Sequence, residues 1–382
     1  MKKVYFDNAA TTQVRNEVVE RISEVLANEF GNPSSSHSFG RSSKSVLENC
    51  RKEIASYFKV AASEIIFTSG GTEADNLILY SCVRDLKVKR IISSKIEHHA
   101  VLHTIESLAN TNNLKVDFVN LDANGMVDYN HLEILLKASE SKTLVSLMHI
   151  NNEVGNKINL KLVADLCKEN NALFHSDTVQ SVGHYELDFL EIPIDFAAVS
   201  AHKFHGPKGV GFAFIRKNSG LKPLIIGGEQ ERGLRAGTEA VYAIAGLTKA
   251  LEISYKNIKE EAAYVVGIKN YFKEKLLQNI PSVQFNGYCG DNEKSTYTLL
   301  NVLLPISPDK ATMLLFQLDL KGIACSKGSA CQSGAVGGSH VLSEILSEDE
   351  MKFPSIRFSF SNYNTMEEVD YVIDVLKEII NN

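Results

Sequence analysis

The chain has 382 residues, with 40 Lys and Arg against 46 Asp and Glu for a net charge of −6, and it is 44% hydrophobic and 23% charged. At about 150 residues per domain that length suggests two domains, and the composition excludes the disordered and fibrous classes. No run approaches the ~18 apolar residues of a membrane span, and a mildly acidic chain lacks the basic face that holds nucleic acid by counterion release.

The start, MKKVYFDNAATT, meets Asp7 before an apolar core can form, so no secretory signal is expected and the expected location is cytoplasmic. Residues 15–28 place Val18, Val19, Ile22, Val25 and Leu26 at helical spacing. GNPSSSHSFG at 31–40 reads as a loop, followed by a second helix carrying Val46, Leu47, Ile54 and Phe58. From there to about residue 216, the runs EIIFTS, RIISS, KVDFVNL, TLVSLMHI, ALFHSD, DFAAVS and GVGFAFIR alternate with helical stretches. Seven strands separated by helices predict a mostly parallel sheet buried on both faces.

The rhythm then changes. A long helix over 238–278 leads into VQFNG, TYTLLNVLL, a helix near 309–320, the strand SIRFSFS and a final helix from residue 366. The expected fold class is therefore α/β, a large domain with a mostly parallel seven-stranded sheet and a smaller α+β C-terminal domain. The expected boundaries are 12–258 for the large domain, with 1–11 and 259–382 forming the small one. Six cysteines scattered through a chain of this size are expected to be reduced.

Three features along the large domain carry chemistry. EIIFTS runs into GGTEADN, so Gly70 and Gly71 make a tight turn with Thr72 at a helix start, where backbone N–H groups and the helix dipole favour a phosphate. A Gly-rich turn with an ordinary cap reads equally well on this motif alone. ALFHSDTVQ delivers Asp177 to the carboxyl end of a strand, with Gln180 one turn on, and there the alternative is a helix-capping Asp. DFAAVSAHKFHGPKGVG ends its strand with Ser200, His202 and Lys203, the last a candidate Schiff-base lysine between an apolar strand and a Gly-Pro turn. A phosphate turn, an acid and an amine in this order are the parts that pyridoxal phosphate requires.

With these residues in place, the chain resembles the class V, fold-type I pyridoxal-phosphate enzymes, and among them the NifS-like cysteine desulfurases. The likeness runs through FDNAATT, GNPSSSHSFG, FTSGGTEADN, EHHAVLHT, HINNEVG, FHSDTVQSVGH, SAHKFHGPKGVG, GGEQERGLRAGTEA, GSACQSG, SHVL and SIRFS. It implies that Lys203 holds the cofactor, that Asp177 faces the pyridine nitrogen and that His98 stacks on the ring and shuttles protons. Gly71, Thr72, Ser200 and His202 would hold the phosphate, and Asn152 and Gln180 would sit near the phenolic oxygen. Thr238, in RAGT, would reach the cofactor phosphate of a neighbouring subunit, implying a homodimer. Arg357 would clamp the substrate carboxylate, with Asn152 and Asn8 as further substrate contacts. Read without the likeness, His98 and Arg357 could equally be a surface helix-start residue and an outward strand charge, and Asn151 and Asn152 could be ordinary turn residues.

GIACSKGSACQSGAVGGSH, poor in anything that packs, reads as a long mobile loop over about 324–339. By the resemblance Cys331, in GSAC, is the nucleophile that takes up sulfur as a persulfide. Cys325 departs from the family pattern, in which related chains usually have Val or another apolar residue, and could be a disulfide partner of Cys331, a relay thiol or neither. No paired C-x-x-C spacing supports a metal site of Cys325, Cys331 and His340, so no metal is expected. GGSH stands where many relatives have a Pro before the Ser, and the chain stops at LKEIINN, shorter than relatives whose tail contacts an iron–sulfur scaffold. The sulfur-acceptor protein is therefore left open.

The expected activity is conversion of L-cysteine to L-alanine with sulfur passed to Cys331, for delivery to iron–sulfur cluster or thiolation pathways. The alternatives are a class V aminotransferase or other pyridoxal-phosphate lyase, and a non-catalytic sulfur-transfer partner that has lost the cofactor. The GSAC segment argues against transamination, which needs no thiol nucleophile. The intact Asp177, His98, Gln180 and Lys203 set argues against the inert partner.

Overall fold

The structure, a computed structural model, describes residues 2–138, 140–327 and 338–381. A short strand β1 (Val4–Tyr5) is followed by helices α1 (Asn16–Asn28) and α2 (Ser38–Tyr57). The next region alternates β2 (Ile65–Thr68), α3 (Gly71–Arg84), β3 (Arg90–Ser93), α4 (His99–Thr111), β4 (Lys115–Phe118), α5 (Tyr129–Lys137), β5 (Thr143–Ser146), α6 (Leu160–Glu169) and β6 (Leu173–Asp177). Strands β7 (Phe196–Ser200) and β8 (Gly211–Ile215) complete it. These strands form one seven-stranded sheet in the order β2-β8-β7-β6-β5-β3-β4, in which only β8 runs against its neighbours.

All seven expected runs are strands of that sheet, and alternation along them explains why. Ile65 and Phe67 face a core shared with α1, α2 and α7 (Val241–Lys256), whereas Ile66 faces a second core under α3 and α4. Burial on both faces fails only at the edge strand β4, whose residues are exposed or half-buried. Among the described residues no helix is long and apolar enough to cross a membrane.

A further hydrophobic core lies between α8 (Ile258–Asn279), α12 (Met366–Asn381) and the sheet β12-β10-β9, built from β9 (Gln284–Phe285), β10 (Leu299–Leu303) and β12 (Ser355–Ser359). Phe6 joins this core, and β1 pairs in parallel with β11 (Ile323–Ala324). Helices α9 (Pro308–Ala311), α10 (Leu314–Leu320) and α11 (His340–Ser343) complete the chain.

Three boundaries differ from expectation. The single helix expected over 238–278 is two, α7 and α8, separated at Asn257, whose φ of −109° and ψ of 10° are not helical. Asn257 closes α7 through its N–H to the Ile253 carbonyl and opens α8 by accepting from the Glu261 N–H. The helix expected near 309–320 is likewise two short ones, α9 and α10, meeting around Met313. Helix α2 starts inside the expected loop, because the His37 ring accepts from the Gly40 N–H and caps it.

One buried ion pair ties α2 to the segment before α7. The Arg51 guanidinium makes two 2.7 Å bonds to the Glu231 carboxylate and a third, of 2.6 Å, to the Ile65 carbonyl. Glu231 also accepts from the Phe67 N–H at 2.7 Å, and both side chains are buried. Arg51→Ala would strand Glu231 without its cation. Urea unfolding of this variant is expected to show a loss of about 3–5 kcal/mol, and a loss near zero would mean that the pair contributes little.

Candidate active site

A cavity of ≈ 210 Å³ opens at the carboxyl ends of the central parallel strands, the place where open α/β sheets bind ligands. Gly71, Thr72, His98, Asn152, Asp177, Gln180, Ser200, His202, Lys203 and Arg357 all line it. Ten residues singled out from sequence are thus brought together from sites up to 286 positions apart, counting from Gly71 to Arg357.

Each element delivers its residue for a local reason. Gly70 has φ of 153°, and a Cβ on Gly71 would lie 2.6 Å from the Val179 side chain, so the turn into α3 needs both glycines. This brings the N-terminus of a 14-residue helix against Ser200 and leaves its first N–H groups open toward the cavity. Strand β7 ends at Ser200, and a single 3₁₀ turn, Ala201–Lys203, swings Lys203 inward. Its Nζ donates to the carbonyls of Ala9 at 2.6 Å and Ala10 at 2.8 Å. The FDNAATT segment thus runs beneath the site and fixes the amine.

His98 caps α4, its Nδ1 accepting from the Ala100 N–H at 3.1 Å, so Nε2 is left for the cavity. Burial, with the nearby Lys203 charge second, pulls its pKa down to about 4, so the ring is neutral at physiological pH. Burial lowers His202 to about 4 as well, and its Nδ1 sits 3.2 Å from the Thr11 hydroxyl. Asp177 lies at the end of β6, and burial raises its carboxyl above the usual range. The Val179 N–H, at 2.9 Å, and the Lys203 charge oppose that rise. Gln180 donates to the Ala9 carbonyl at 3.0 Å.

Arg357, 2% exposed in β12, donates through Nη1 to the Asn152 carbonyl at 2.8 Å and through Nη2 to Asp7 at 2.9 Å. Its buried Nε finds no partner among the described residues, and the side chain lines the cavity. Asn151 is structural: its side chain accepts from the N–H groups of Glu153 and Val154 and donates to the Ile96 carbonyl.

Two expected residues do not line this cavity, and for Thr238, expected at a neighbouring subunit's site, that is no departure. Asn8 lines a different cavity, and its amide donates to Ser359, Tyr5 and Asn364, so the structure assigns it to holding the N-terminal segment rather than to this pocket. Thr238 is exposed and outside the cavity. Cys331 lies outside the described residues, but its flanks border the site. Ser326 exchanges backbone bonds with Arg357, and His340 Nε2 donates to the Glu97 carbonyl at 2.9 Å. Cys325 has a thiol pushed well up, first by burial and then by Asp7, which keeps it neutral and makes it a poor relay nucleophile.

Sequence reasoning missed the Ala9 and Ala10 carbonyls, Met148, Val179 and Asp75, all part of the cavity wall, and Asp7, which holds Arg357. For Asp75 a signal exists. An acid three residues after Thr72 falls on the face of α3 that also buries Ala74, Leu77 and Ile78.

Comparison with known proteins agrees with this geometry. Residues 4–372 match the family described as "Aminotransferase class-V". The cysteine desulfurase IscS of Dictyoglomus turgidum is 39% identical over 99% of this chain and 95% of its own length. A solved NifS-like protein superposes with a TM-score of 0.90 at 35% identity, covering 100% of both chains. SspA, solved in complex with cysteine, superposes with a TM-score of 0.81 at 30% identity, covering 95% of this chain and 100% of its own. The chain belongs to the class-V aminotransferase family and, within it, to the NifS-like cysteine desulfurases.

Proposed function

We propose that the protein is a pyridoxal-phosphate-dependent cysteine desulfurase that converts L-cysteine to L-alanine and collects the sulfur on Cys331. The observation that carries this reading is the convergence of Lys203, Asp177, His98 and Arg357 on one cavity beside the Gly70-Gly71-Thr72 turn. The donor set fits the cofactor. An open helix N-terminus with Ser200 and His202 suits a phosphate, a buried carboxylate suits a protonated ring nitrogen, and an amine suits an aldehyde.

Bound there, the cofactor supplies a protonated ring that withdraws the electrons released when bonds to the substrate break. The residues do the rest. Arg357 orients the substrate carboxylate, its Nη1 and Nη2 fixed by Asn152 and Asp7 and its buried Nε without a partner among the described residues. Lys203 Nζ takes the Cα proton, and neutral His98 Nε2 is placed to move protons across the cavity. The Cys331 thiolate then forms a bond to the substrate sulfur as the Cβ–S bond breaks. The electron pair left on Cβ takes up a proton, Lys203 returns a proton to Cα, and alanine leaves with a persulfide on Cys331.

In the same reading the chain divides into a cofactor-binding unit, 12–258, and a smaller unit of 1–11 and 259–382, which the separate hydrophobic cores support. It acts as a homodimer, with Thr238 reaching the partner's phosphate site. The sulfur then passes to an acceptor protein, in the cytoplasm.

Incubating the protein with pyridoxal phosphate, L-cysteine and a reductant should yield alanine and sulfide in equal amounts. Alanine formed only when pyruvate is added, without sulfide, would indicate transamination, and neither product would indicate an inert fold.

A further inference from the structure

Beneath Asp177 lies a buried polar group that the reaction above does not use. Asp75, on the first turns of α3, is 1% exposed, and His175, on β6, is 0% exposed. His175 and Asp177 are two residues apart on one strand and so face the same side of the sheet. His175 Nδ1 lies 2.9 Å from the Ser146 hydroxyl on the adjacent strand β5, and its Nε2 lies 3.2 Å from Asp75 Oδ1. That contact falls short of hydrogen-bond geometry, and among the described residues neither of those last two atoms has a hydrogen-bond partner.

A carboxylate oxygen facing a bare imidazole nitrogen would repel it, so one proton lies between them. Its owner follows from the neighbours. Asp75, Glu97 and Asp177 are three buried carboxyls, two of them in the cavity wall, and like charges so placed do not all ionise. Asp177 has the Val179 N–H at 2.9 Å and the Lys203 charge, and Glu97 has the Met148 N–H at 2.8 Å. Asp75 has no N–H donor among the described residues, only the His175 ring nitrogen nearby.

We propose that Asp75 and His175 are a positioning pair that keeps Asp177 ionised: Asp75 remains a carboxylic acid whose proton is donated to His175 Nε2, so the negative charge of the cluster falls on Asp177. His175 Nδ1–H then donates to the Ser146 hydroxyl. Burial, joined by the charges of Asp177 and Glu97, drives the Asp75 carboxyl well up, and burial alone pulls His175 down to about 3, so each partner favours its neutral form. The titratable groups facing the pair are Asp177 and Glu97, with Lys203 and His98 lining the same cavity. The pair's importance rests on the proposed role of Asp177 as partner of the cofactor ring nitrogen.

The test has two readouts on the full-length chain stripped of cofactor. In the first, ¹⁵N NMR of the wild type at neutral pH should find His175 protonated on Nδ1 and bare on Nε2. A proton on Nε2, or on both nitrogens, overturns the proposal. In the second, the pH dependence of pyridoxal phosphate uptake is measured for wild type, His175→Phe and the double variant His175→Phe/Asp75→Asn. Without the imidazole nothing fixes the proton on Asp75, so the two carboxyls compete for it and Asp177 ionises less readily, and the acid limb of uptake should move up by about one pH unit. In the double variant an amide can donate to Asp177 but has no proton to give up, and the limb should return toward its wild-type position. A double variant shifted as far as His175→Phe would show that His175 acts by packing alone and would overturn the pair. Should His175→Phe fail to fold, the wild-type NMR result decides. Should wild type take up no pyridoxal phosphate at any pH, the functional reading fails, and the NMR result still judges the pair.

Discussion

Lys203→Ala is expected to lower alanine formation from L-cysteine by about 10⁴-fold or more, because the variant loses both the amine that holds the cofactor and the base that takes the Cα proton. Among the described residues lining the cavity, Lys203 supplies the only amine. Lys203→Arg should be nearly as inactive although it keeps the charge and the reach to the Ala9 and Ala10 carbonyls, since a guanidinium with pKa above 12 neither condenses with an aldehyde nor gives up its proton. That comparison separates chemistry from the anchoring of the N-terminal segment. Borohydride treatment of the wild type should fix pyridoxal phosphate to Lys203, as read by peptide mapping. Recovery of the label on Lys208, or substantial turnover in the arginine variant, would overturn the assignment.

What could be read ahead of the structure followed the range of the interactions. Strands β2 to β8 were legible because each is a short apolar run bounded by turns, and burial on both sheet faces leaves little room for polar residues. The break at Asn257 was not, because it obeys packing rather than propensity. Val241, Ile244, Leu247 and Leu251 of α7 belong to the core of the large sheet, while Val265, Ile268, Phe272 and Leu276 of α8 belong to the core of the small one. The helix breaks where the chain passes from one core to the other. In the site, residues that end a strand or open a helix, such as Asp177, Lys203 and Thr72, announce themselves locally, and family likeness names the rest. Asp7 and Arg357 are 350 positions apart, and Asp75 meets His175 across two elements, so neither pairing leaves a mark in any local window. Asn8 shows the converse: a motif neighbour of a site residue has its amide bonded to the Tyr5 and Ser359 carbonyls and the Asn364 side chain.

Cys331→Ser should abolish sulfide and alanine production while leaving the cofactor and the binding of L-cysteine intact. In the proposed mechanism Cα deprotonation depends on Lys203, Asp177 and Arg357, which line the cavity. Sulfur removal needs a thiolate, and a serine hydroxyl of high pKa is a poor nucleophile toward sulfur. The described ends of that segment support the reach of Cys331: Ser326 is zipped to Arg357, and Ser339 and His340 are bonded to Glu153 and Glu97. Spectral change on adding L-cysteine, with no sulfide released, is the expected signature of the variant. Cys325→Ser provides the contrast. Its thiol is held neutral by burial beside Asp7, so the variant should keep alanine formation within about threefold of wild type. A collapse of activity on losing Cys325 would make it the sulfur carrier. Wild-type output from Cys331→Ser would remove the persulfide step from the proposed mechanism, whatever cofactor the protein binds.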